Sequence, residues 1–233
     1  MFFIPTGTRE LTERRLFPYV NVGLVLVNVC VFIYELTLIA TGGDAALTRF
    51  INNYALIPAT VTDGTPLALG ALTSMFLHGG LLHILGNMIY LLPFGDNIED
   101  RLGHVRYLFF YLLCGLIAAY GFALLYPSTT TPLLGASGAI AGVLGGYLAL
   151  HPRGVVKGFF FIIILFLRVD LPAVVFIGYW FLLQVFSSVV SFGGSAQETG
   201  SVAFAAHVVG FIAGILLAPL FALTVRKQVQ YSK

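Results

Sequence analysis

The sequence predicts an all-α integral membrane protein, a bundle of six transmembrane helices with both termini on the cytoplasmic side. Three observations lead there. Only 9% of the 233 residues are charged and 58% are hydrophobic, whereas an ordinary soluble domain is about a quarter charged. Six apolar runs approach the roughly 20 residues that a helix needs to cross hydrocarbon: 19–41, 72–95, 105–126, 133–150, 171–192 and 202–225. The basic residues are also one-sided. Arg9, Arg14 and Arg15 precede the first run, Arg101 and Arg106 follow the second, Arg153, Lys157 and Arg168 follow the fourth, and Arg226, Lys227 and Lys233 follow the sixth, leaving only Arg49 on the other side. By the positive-inside rule the crowded side is cytoplasmic and the number of spans is even.

Residues 1–18 read as a cytoplasmic leader, too short and too mixed in charge for a transit peptide. No cleavage site follows the first apolar run, so that run is a retained span. Residues 19–225 form a single membrane domain and 226–233 a cytoplasmic tail, with no room for a separate soluble domain. The outer connection 42–71 carries Pro58 and Pro66 among scattered apolar residues and is expected partly in the interface. Pro127 to Pro132 is a short turn. The apolar stretch Val155–Leu167 is short for a span and is followed by Asp170 and Pro172, so it reads as a re-entrant or interfacial segment. Gly193–Ser201 has the composition of a mobile lid or a plain linker. Cys30 and Cys114 fall inside spans and indicate no disulfide framework. The basic residues form no patch for nucleic acid, and no nucleic-acid partner is expected.

Chemistry is concentrated in three stretches. Gly135-Ala-Ser-Gly-Ala-Ile-Ala-Gly142 puts a serine at the head of an apolar run whose every third or fourth residue is small. Small residues let a second helix approach closely, so Ser137 reads as a packing contact or as a nucleophile. In the last span, His207, Gly210 and Gly214 share one helical face, and Ala141 and Gly145 lie below Ser137 in the same way. If these surfaces pack, Ser137 and His207 meet, because both lie about one turn below the outer ends of spans that run in the same direction. In the second span His83 and Asn87 are four apart and share a face, while His78 points elsewhere. An imidazole and a carboxamide there could donate hydrogen bonds to a developing oxyanion. As a metal set they are poor, since no intramembrane carboxylate is near and asparagine is a weak ligand. Neither a metal nor another cofactor is expected.

Together these motifs resemble the rhomboid family of intramembrane serine proteases: His78-x4-His83-x3-Asn87, Gly135-Ala-Ser137-Gly138, and Ala206-His207-x2-Gly210-x3-Gly214, with Ile98-Glu99-Asp100-Arg101-Leu102-Gly103 after the second span. The resemblance implies that Ser137 is the nucleophile and His207 its general base and acid. It implies that His83, Asn87 and the Ser137 amide stabilise the oxyanion, and that His78, Gly135, Gly138, Gly210, Gly214, Glu99 and Arg101 have supporting roles. Glu99 and Arg101 would tie the cytoplasmic end of the second span. The implied partners are single-span or other transmembrane protein substrates in the lipid bilayer, unwound near small or helix-breaking residues. The chain departs from the family at two points. The first outer connection lacks a Trp-Arg pair, and Ala141 stands where some members place a tyrosine that stacks on the histidine.

No Asp or Glu lies between the ends of the second to sixth spans. Glu35, near the outer end of the first, reads as an interfacial carboxylate facing water or headgroups, which points to a Ser–His dyad rather than a carboxylate triad. The aromatic fifth span, with Phe176, Tyr179, Trp180, Phe181 and Phe186, is the expected lateral gate. A short leader without a transit signal suggests the plasma (inner) membrane of a prokaryote. Two rival readings stand beside the protease: a rhomboid-like protein that binds transmembrane segments without cutting them, and a small transporter with a histidine proton path.

Overall fold

The computed structural model describes residues 2–10, 16–63, 67–162, 165–193 and 203–223. Its elements run β1 (Phe2–Arg9), α1 (Tyr19–Tyr54), α2 (Leu67–Thr73), α3 (Leu81–Leu102), α4 (His104–Leu125), α5 (Ser137–Leu150), β2 (Val155–Ile162), β3 (Leu165–Pro172), α6 (Ala173–Gly193) and α7 (Ala203–Leu223). Among the described residues, α1, α4, α6 and α7 are long and apolar enough to cross a membrane, and the bent pair α2–α3 makes a fifth if counted as one span. Exposed Leu26, Ile33, Phe109, Leu182, Phe186 and Leu216 cover their outer faces. The chain is an integral, multi-pass membrane protein.

The helix at the centre is the short one. α5 has 14 residues, roughly 21 Å at 1.5 Å per residue, against about 30 Å of hydrocarbon. Ala139 through Tyr147 are buried without a break, with α7 as the most extensive partner and α4 and α3 beside it. The span expected at 133–150 becomes helical only at Ser137. Just before it, Gly135 takes φ 110° and its N–H donates to the Ser74 carbonyl at 2.9 Å.

α5 and α7 meet backbone to backbone. A Cβ at Gly210 would run into the carbonyl oxygen of Gly138, one at Gly214 into that of Gly142, and one at Gly145 into that of Phe211. With no hydrophobic force between helices in lipid, such close approach is what holds them together.

Several expectations need correction. The bundle is mostly helical rather than all-α: of the expected re-entrant segment, Val155–Ile162 is strand β2 and 165–167 opens strand β3, and β1 from the leader completes an antiparallel sheet ordered β1-β2-β3. The β-branched and aromatic residues of Val155–Ile162 and Leu165–Pro172 suit a pleated surface, and the ladder satisfies their backbone groups. Lys157 lies opposite Asp170, and Arg9 approaches Asp170 at 3.8 Å. The first span does not stop at 41: helix continues to Tyr54 past a single non-helical residue, Gly43, at φ 66°. The second span is not a straight helix over 72–95. It bends by 91° between Phe76 and Leu81 and then runs to Leu102. Residues 194–201 of the expected lid and the tail 226–233 lie outside the described residues.

At the sheet end of α3, buried Glu99 accepts the N–H groups of Val20 at 2.9 Å and Asn21 at 2.7 Å. His104 Nδ1 lies 2.5 Å from the same carboxylate. Glu99 thus joins the starts of α1 and α4 to the foot of α3. Arg101 is exposed.

Candidate active site

Ser137 is the first residue of α5. The first N–H groups of a helix have no intrahelical partner, so those of Ser137 and its successors face out of the helix end; the amide of Ile140 is already tied to the Ala136 carbonyl. The glycine contacts with α7 bring the second turn of that helix alongside. There Nε2 of His207 lies 2.7 Å from Ser137 Oγ. On its other side, His207 Nδ1 lies 2.8 Å from Oε1 of Gln184 on α6. Trp180, one turn before Gln184, places its ring 6.1 Å from the imidazole at 33°, and Phe204 meets it edge-on at 6.2 Å. Ser137, His207 and His83 are each half-buried.

The α3 residues stand across from this pair. A Cβ at Gly135 would come within 2.7 Å of His83 Nε2 and 3.4 Å of Asn87 Nδ2. Only glycine lets the loop before Ser137 pass so near them. His78 does not point elsewhere, as a straight helix would require: its Nε2 is 3.0 Å from Asn87 Nδ2, because the bend folds residue 78 back over residue 87. His78 Nδ1 lies 3.2 Å from the Phe76 carbonyl and must donate to it. In a neutral ring, Nε2 then accepts from Asn87, and the second amide hydrogen of Asn87 has no acceptor among the described residues.

Glu35 likewise does not face outward to water or headgroups. It is buried, 1% exposed, and its carboxylate oxygens accept the His78 N–H at 3.1 and 3.3 Å. The 3-10 turn Ser74–Phe76 and the bend after it strip helical partners from the backbone here, and a buried amide must find an acceptor.

A serine hydroxyl in contact with an imidazole, at a helix start and with two α3 side chains beside the loop that precedes it, is an arrangement suited to base-assisted nucleophilic attack. A profile of the Rhomboid domain matches residues 68–224, from α2 to the end of α7. The chain belongs to the rhomboid family. Among rhomboid relatives, it is 30% identical over 188 residues to Rhomboid protein 1, mitochondrial, of Saccharomyces cerevisiae, covering 78% of this chain and 49% of that protein. RHOMBOID-like protein 4 of Arabidopsis thaliana is 40% identical over 78 residues, 34% of this chain and 19% of the relative. YdcA of Bacillus subtilis is 37% identical over 81 residues, 33% and 38% respectively. The chain spans about half the length, or less, of these relatives.

Of the rhomboid-type residues singled out from sequence, Ser137, His207, His83, Asn87, His78, Gly135, Gly138 and Gly210 gather at one end of the bundle, and Gly214 packs on Gly142 midway along α7. Glu99 and Arg101 lie at the other end, by the sheet. Sequence reasoning passed over Gln184, although a polar side chain inside an apolar run is costly and asks for a partner. Among the described residues no group of three or more His, Cys, Asp or Glu could hold a metal ion.

Proposed function

We propose that this rhomboid is an intramembrane serine endopeptidase that cleaves transmembrane-helix substrates near the outer membrane face. The observation that carries the reading is the 2.7 Å contact of Ser137 Oγ with His207 Nε2. His207 takes the hydroxyl proton as Oγ attacks the scissile carbonyl. The resulting oxyanion is held by His83, the second amide hydrogen of Asn87 and the Ser137 N–H. His207 then returns the proton to the leaving amine, an acyl-enzyme remains on Ser137, and water, deprotonated by His207, releases the second fragment. The substrate presents an unwound stretch, since an intact helix hides its carbonyls. Intact Ser137 and His207 favour an enzyme over a binding protein without activity. The grouping of Ser137, His207, His83 and Asn87 at one end, away from buried Glu99 at the other, disfavours a transport path.

The proposed topology is six spans within residues 19–225, with leader 1–18 and tail 226–233 both cytoplasmic. Arg9, Arg101, Arg153, Lys157 and Arg168 at the sheet end support that orientation. Relatives named from yeast mitochondria, a plant and a bacterium do not select the prokaryotic plasma membrane expected from sequence.

The test is reconstitution in liposomes with a single-span substrate. Cleavage is expected, and prior treatment with a fluorophosphonate should stop it by modifying Ser137. Absence of product, or product formed equally after Ser137 is blocked, overturns the reading. Asn87→Ala should lower kcat by about 100- to 1000-fold, the 2.7–4 kcal/mol typical of a lost oxyanion donor, with little change in KM. Full activity in that variant would remove Asn87 from the oxyanion site.

A further inference from the structure

The geometry points to Gln184 as a third member of the catalytic arrangement, a positioning residue on α6 whose amide oxygen holds His207 in the tautomer that can accept the Ser137 proton. This rests on the serine-protease reading above and adds a residue to it.

An imidazole can take a proton at Nε2 only if Nε2 carries a lone pair, which in the neutral ring puts the hydrogen on Nδ1. That Nδ1–H needs an acceptor, because a half-buried donor left unpaired is costly. Gln184 Oε1 lies 2.8 Å from it, on the side of the ring opposite the 2.7 Å contact with Ser137 Oγ. Hydrogen on Nδ1 therefore donates to Gln184, and Ser137 O–H donates to Nε2. Two contacts fix one tautomer.

The neighbouring residues support a built arrangement. Trp180 and Gln184 are four apart and share one face of α6. Trp180 stands beside the imidazole, tilted, with ring centres 6.1 Å apart, so one helix supplies both an aromatic neighbour and an acceptor. Ala141, at the position where other members can stack a tyrosine, is buried in α5 and has no ring to offer. In a carboxylate triad the third residue does the same orienting work; an amide oxygen performs it without bringing a charge into the membrane.

The experiment compares wild type, Gln184→Met and Gln184→Glu in liposomes, reading fluorophosphonate labelling rate, kcat and KM on a single-span substrate, and thermal melting. Methionine keeps the length and leaves only a weak thioether acceptor; glutamate keeps an oxygen at the same reach. Loss of the third residue in a carboxylate triad costs about 3 × 10⁴-fold in kcat, and a neutral acceptor should be worth less. For Gln184→Met we expect kcat and labelling to fall about 100-fold, with KM and melting unchanged. Gln184→Glu should recover most of that loss. Equal rates in wild type and Gln184→Met overturn the inference while leaving the protease reading intact. So does a fall in Gln184→Glu as large as in Gln184→Met, since packing at 184 and not its oxygen would then matter. A wild type that neither labels nor cleaves ends the protease reading, and this inference with it.

Discussion

Ser137→Ala is expected to lower the cleavage rate by about a million-fold, His207→Ala by about as much, and the double variant by no more than either. When a nucleophile and its base act as one unit, losing one disables the other, and the costs do not add. The 2.7 Å contact makes Ser137 and His207 such a unit. A serine hydroxyl keeps its proton at neutral pH and needs the imidazole to remove it, while the imidazole without Ser137 has only water to activate. The surviving rate, about 10³- to 10⁴-fold above the uncatalysed one, would come from the oxyanion donors and from substrate binding. Single-turnover cleavage by the three variants, with KM measured in parallel, checks this. A double variant far slower than both singles would mean that the two residues serve separate steps, and the dyad would have to be abandoned.

Gly214→Val should be among the most destabilising single substitutions in the chain, costing more than about 4 kcal/mol. A Cβ there would meet the Gly142 carbonyl carbon at 2.6 Å and its Cα at 2.7 Å, besides overlapping its oxygen. All of these are backbone atoms, so no rotamer change relieves the overlap and the helices must separate. Separation also withdraws His207 from Ser137, and activity should fall together with stability. Gly178→Ala in α6 is the matched control. Nothing lies within 4 Å of a Cβ at that position, and replacing a helical glycine where the site is open gains about 0.4–1 kcal/mol. Denaturant unfolding in mixed micelles distinguishes the two. A Gly214→Val midpoint equal to that of wild type would remove the α5–α7 glycine contact as the basis of the site.

The features legible in the sequence were those with a local rule behind them. Long apolar runs announce spans by length, and the spacing of His207, Gly210 and Gly214 announces one face of a helix. Matching small residues on two runs then suggested which faces meet, and the glycines of α5 and α7 do meet. The sheet was hidden because Val155–Leu167 carries no period that separates a buried strand from a membrane segment, and because its partner β1 lies some 150 residues away. The site beside α3 was misread for a different reason. A straight helix over 72–95 sends His78 away from Asn87, and only the 91° bend reverses that. Once the bend was missed, Glu35 lost its reason to be buried, for the amide it accepts belongs to the bend. Gln184 needed knowledge of how α6 is rotated, which an aromatic run with apolar residues on every side does not reveal.

The shortness of α5 has a consequence for how the protein sits among lipids. An exposed helix about 9 Å shorter than the hydrocarbon would dent the bilayer around it, at fractions of a kcal/mol for each ångström of mismatch. α5 touches no such boundary, because α3, α4 and α7 stand around it. Its deficit is therefore taken up inside the protein, against longer neighbours, rather than at the lipid boundary. Membrane thickness acts on those neighbours, so a change of acyl-chain length would tilt the outer helices while Ser137 stays where the α5–α7 backbone contact sets it.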